Sequence, residues 1–210
     1  MLWDHTISKG PSPVNPLDEG EPTSGLTTRR GLLGAGALGA AVALAVGRPA
    51  GASVPPAYEG EQSTLLEFAM HLELTARDLY DAAVDAGADP TLLERLSEQH
   101  ESYAQSIAGL IGASANGRVD DLFESAEANF ATSDTDAVIA AAYDLESTAV
   151  ATHTELLGLL VDTDASKLVA SILVIEARHC TVLADAGGRG DDLDAMLSND
   201  AEPIVPQELS

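Results

Sequence analysis

The chain has 210 residues and a net charge of −24, with 34 Asp and Glu against 10 Lys and Arg. So acidic a surface repels nucleic acid and anionic membrane, and neither is expected as a partner. Hydrophobic residues make up 45% and aromatics only 4%, a balance rich in Ala and Leu that favours helices over strands.

Residues 1–27 are polar, contain Pro11, Pro13, Pro16 and Pro22, and carry no periodicity, so they read as a disordered leader. Thr27-Thr28-Arg29-Arg30-Gly31-Leu32-Leu33 follows, then an uncharged Gly/Ala/Leu/Val run to Gly47 and the small-x-small pattern Ala50-Gly51-Ala52. Paired arginines before a mild apolar run resemble a twin-arginine export signal, which implies export of the folded protein and cleavage near Ala52. The competing reading is an uncleaved membrane anchor, although an apolar run of about 17 residues is at the short end for spanning a bilayer. Residues 1–52 are thus read as leader plus signal, and 53–60, with Pro55-Pro56, as a linker.

Four helical runs follow. The first is expected over about 61–86, with Leu65, Phe68, Ala69, Leu72, Ala76, Leu79, Tyr80 and Ala83 on one stripe and Glu73 within it. Asp89 and Pro90 signal the start of the second, which should run to about Ile111 before Gly112. Its stripe is Leu92, Leu93, Leu96, His100, Tyr103, Ile107 and Leu110, in which His100 is the one strongly polar member. Residues 112–133 are too long for a tight antiparallel turn and suit a crossover, with a short amphipathic helix between Val119 and Phe130. The third run starts after Asp134 or Asp136 and reaches about Val161, with Glu146 and His153 along its apolar stripe. The fourth spans about Asp164 to Ala186 and ends at Gly187-Gly188. Residues 188–210 are acidic, contain Pro203 and Pro206, and read as a mobile tail.

The fourth run carries Val174-Ile175-Glu176-Ala177-Arg178-His179-Cys180. Residues three apart share a helix face, so Glu176 and His179 point together toward the apolar side. An inward charge is costly unless it is paired or binds a metal. Cys180 is the sole cysteine, so no intrachain disulfide forms, and its position beside His179 suits a buried, inert thiol. His71 and Glu67, four apart on the polar face, read as a surface pair.

An internal repeat links the runs. Leu72-Glu73-Leu74-Thr75-Ala76 matches Leu145-Glu146-Ser147-Thr148-Ala149, with Tyr80 opposite His153. His100 to Ile107 falls on Glu176 to Leu183, so two helix pairs are related by an approximate twofold across the crossover.

These residues resemble the ferritin-like superfamily over about 61–186, in particular small bacterial ferritin-like domains of exported proteins. The resemblance implies an all-α fold: a ferritin-like four-helix bundle over 61–187 with a long crossover between helices 2 and 3. It also implies a centre of iron or manganese ions held by one Glu from each of two helices and a Glu-x-x-His from each of the other two. Carried over residue by residue, Glu73 and Glu146 are the single carboxylates, and Glu176 with His179 is one complete Glu-x-x-His. Helix 2 departs from the pattern: His100 stands at the Glu position and Tyr103 at the His position, while Glu101 is one residue out of register. His153 reads either as a group behind the ligands or as a satisfied core histidine.

The candidate metal ligands are therefore Glu73, His100, Glu146, Glu176 and His179, whose carboxylates and imidazoles suit Fe, Mn or Zn by ligand type, of which the resemblance implies Fe or Mn. Two states of this set stay open: a metal site, or a metal-free buried hydrogen-bonded network. Three functions stay open with them. These are metal binding by an exported protein, a di-iron or di-manganese oxidase or ferroxidase-type enzyme, and a metal-free module of the cell envelope.

Overall fold

The computed structural model describes residues 60–204, so the expected leader, export signal and nearly all of the linker lie outside the described residues. Six helices and no strand are found among them: α1 (Glu61–Asp85), α2 (Pro90–Ile111), α3 (Asp120–Phe130), α4 (Thr135–Leu159), α5 (Thr163–Ala186) and α6 (Leu193–Leu197). The four long helices fall where the hydrophobic periodicity puts them, within a few residues at each end. Side chains of Asp89, Asp134 and Asp162 accept hydrogen bonds from the first-turn amides of α2, α4 and α5, satisfying donors that a helix cannot pair internally. Gly112 ends α2 in the left-handed region at φ 73°, a conformation open to glycine at little cost.

Cross-helix contacts fix the topology. Ser97 meets Asp81 at 2.5 Å and Arg77 meets Glu101, so α2 returns antiparallel along α1. His153 meets Glu176 and Ser147 lies 3.7 Å from Cys180, so α5 returns along α4. Tyr80 reaches Glu146, and Gln62 bonds both Leu159 and Val161, so α4 runs opposite to α1 and parallel to α2. A parallel α2 and α4 require a connection as long as the bundle, and residues 112–134 supply it. This crossover is pinned by its own α3, by the Val119 amide donating to Thr75 Oγ1 at 2.9 Å, and by Arg118 bridging Asp78 and Asp120.

On α5 the buried positions are Ala165, Val169, Ile172, Glu176, His179, Leu183 and Ala184, the first six spaced alternately by four and three. Leu168 and Ile175 are only half-buried at the margins of that stripe; Leu92, Tyr103 and Leu110, expected on the α2 stripe, sit likewise at its edge.

The apolar core is in two blocks. One gathers Leu79, Tyr80, Leu93, Phe130, Val138 and neighbours; the other gathers Leu65, Leu66, Leu74, Ile107, Val169, Ile172 and neighbours. Between them lies a layer of buried polar side chains. The segment read as a mobile acidic tail departs from that reading as far as residue 204. Tyr143 donates to the carbonyl of Ala195, Asn199 to the carbonyl of Ser147, and the Ile204 amide to Thr152 Oγ1. These polar contacts to α4, with α6 against α5, dock the segment on the α4–α5 pair. No helix among the described residues is long and apolar enough to cross a membrane.

Candidate metal centre

Heptad-like spacing does more than bury leucines: it delivers acids and imidazoles to one level of the bundle. Glu73 comes from α1, His100 from α2, Glu146 and His153 from α4, and Glu176 and His179 from α5, and all six are buried. The layer thus brings together all five candidate ligands proposed from the sequence and adds His153. His153 lies seven residues after Glu146, two helical turns along the same face, just as Tyr80 follows Glu73. That spacing was the available signal; the match to a tyrosine in the repeat masked it. Helix α2 lacks the family imidazole at Tyr103, and α4 carries one at 153 instead.

The six side chains fall into two triads, and in each one donor atom per residue lies within 4.8 Å of the others: His100, Glu146 and His179, and Glu73, His153 and Glu176. Their hydrogen bonding differs. In the first triad, His100 Nε2 is 2.9 Å from Glu146 Oε1 while its Nδ1 is 2.7 Å from Glu73 Oε2. The Tyr80 hydroxyl donates to Glu146 Oε1 at 2.6 Å. His179 Nδ1 is 3.2 Å from Glu146 Oε2, and its Nε2 donates to Gln99 Oε1 at 2.6 Å. Every ring nitrogen and carboxylate oxygen of this triad has a partner.

The second triad is incomplete. His153 Nδ1 meets Glu176 Oε2 at 2.7 Å. His153 Nε2 and Glu73 Oε1 are 3.3 Å apart, close enough for charge attraction but without hydrogen-bond alignment. Glu73 Oε1, His153 Nε2 and Glu176 Oε1 are buried and have no hydrogen-bond partner. Each such atom costs about 1–3 kcal/mol when left unmade, and all three belong to one triad.

The electrostatics follow the same division. Burial opposes charge on His100, but Glu146 and Glu73 outweigh it and hold its pKa well above the ordinary histidine value. Burial would raise the Glu146 carboxyl, yet His100 and His179 together hold it well below the carboxylate range. Tyr80 is pushed far up by burial and then by the Glu146 charge, so its hydroxyl stays a donor. In the other triad both partners shift toward protonation. His153 rises to about 9, the Glu176 charge and hydrogen bond outweighing burial. Glu176 is itself raised, by burial first and by the charge of Glu73 among the rest, against the pull of His153. A corner where acid and base both gain proton affinity is short of positive charge.

Two residues stand at the rim. Tyr103 is half-buried; its hydroxyl lies 3.4 Å from Gln99 Oε1 and its ring stands edge-on to His100. It therefore faces the Gln99 carboxamide and takes no place in either triad. Gln99, which caps His179, had no signal in the sequence beyond lying next to His100. Cys180 is half-buried against Ser147, and burial pushes its thiol up to about 12, which leaves it unreactive at neutral pH. Glu67 accepts from Ser63 Oγ at 3.2 Å, while the ring of His71 lies against Gly117 of the crossover.

Two carboxylates and an imidazole with unpaired atoms in a buried layer form a donor set that a divalent metal ion can take. The residues present therefore fit a divalent cation. A family model described as a ferritin-like domain matches residues 61–189. No curated protein and no solved structure matches the chain.

Proposed function

This chain belongs to the ferritin-like domain family, and we propose that it binds iron or manganese in its bundle core and works outside the cytoplasm. The observation carrying the metal reading is that the three buried atoms without a hydrogen-bond partner, on Glu73, His153 and Glu176, belong to one triad whose residues each bring a ligand atom within 4.8 Å of the others. Iron or manganese bound there would supply one-electron redox chemistry. The chain's own residues bind and orient. Glu73 and Glu176 offer carboxylate oxygens and His153 offers Nε2. Tyr80 donates to Glu146 and keeps that carboxylate turned toward His100 and His179. The two apolar blocks on either side exclude water, which strengthens every charge interaction in the layer.

Metal analysis of the protein folded in its own host tests this. Iron or manganese should co-purify and be lost in Glu176→Ala; a preparation free of both, whose metal content is indifferent to that change, would contradict it.

Export is supported by Arg29-Arg30, the apolar run after them and Ala50-Gly51-Ala52. A twin-arginine route carries folded proteins, so a metal can be enclosed before the chain meets tighter-binding ions outside. N-terminal sequencing of the exported fraction should begin near Ser53; an intact Met1 there would argue for an uncleaved anchor.

A further inference from the structure

We infer that the layer is a one-metal site: the cation is held by Glu73, His153 and Glu176, and the triad of His100, Glu146 and His179 is already closed by its own hydrogen bonds. The inference rests on the metal-binding reading above and assigns its stoichiometry and ligands.

Lone pairs decide it. A metal needs a ring nitrogen with a free lone pair. Both nitrogens of His100 face carboxylate oxygens, at 2.7 and 2.9 Å. Carboxylates accept, so His100 donates twice and has no lone pair to give. Glu146 is engaged by Tyr80, His100 and His179, and the Nε2 of His179 by Gln99. Placing a metal in that triad would break several satisfied buried bonds. Placing one in the other triad breaks none outside it and supplies a partner to three atoms that lack one.

Titration of the metal-stripped full chain with Mn(II), and anaerobically with Fe(II), tests this. About one ion per chain should bind, and Mn(II) should give the electron paramagnetic resonance pattern of an isolated ion. His179→Ala should keep that ion, whereas His153→Ala and Glu176→Gln should lose it. Stoichiometry and spectrum of the unaltered chain stand even if a variant fails to fold, which circular dichroism would reveal. Two bound ions with a spin-coupled spectrum would overturn the one-metal inference and leave metal binding intact. A single ion lost in His179→Ala and kept in His153→Ala would overturn the ligand assignment. No binding of either ion would overturn the inference together with the reading it rests on.

Discussion

At 2.7 Å from Glu176 and 3.3 Å from Glu73, the imidazole of His153 answers to two carboxylates at once. In the metal-free protein its pKa stands at about 9, against roughly 6.5 when unfolded. A raised histidine stabilises the fold fully below the unfolded value and loses that contribution as pH climbs through the folded one. Glu176 and His100, also raised, act in the same direction. Metal-free protein should therefore lose stability between about pH 6.5 and about pH 9, by a few kcal/mol. Urea denaturation along that range checks it, and a flat or rising profile would contradict it. Metal binding should show the opposite slope, because the cation needs the neutral ring and displaces its proton.

Helix α5 shows how one element serves both packing and chemistry. Ile172 and Leu183 anchor it in opposite apolar blocks, with Glu176 and His179 at the intervening positions. Ile172→Ala should cost about 2–5 kcal/mol through the cavity it leaves, measured by chemical denaturation, while His179 and Glu146 remain in place. A loss under about 1 kcal/mol would mean that the block is looser than a native core. Periodicity made these helices legible: buried stripes and Asp caps left a pattern that a chain of leucines, alanines and acids displays directly. The repeat then aligned Glu73 with Glu146 and pointed to the layer. His153 escaped because its repeat partner is Tyr80, and a ring of either kind fills that place equally well. The docking of residues 188–204 escaped because it rests on single contacts from Tyr143, Asn199 and Ile204, which leave no periodic trace. Gln99 escaped for the same reason.

The chain as a whole carries a net charge of −24, and among the described residues the core keeps its buried acids and imidazoles in a single level. Two apolar blocks alone would be a simpler way to hold four helices together, since a buried ionic network contributes little stability over a hydrophobic one. The polar layer is better accounted for as a site than as a support, and the ferritin-like family match over 61–189 agrees with that. The most direct measurement is anomalous diffraction from crystals of the manganese- or iron-loaded protein, collected at the absorption edge of the metal. The account predicts one peak within bonding distance of Glu73, His153 and Glu176, with His100 still bridging Glu73 and Glu146. Two peaks, or a peak only between Glu146 and His179, would contradict the one-metal assignment. An empty layer in metal-soaked crystals would contradict the metal site itself.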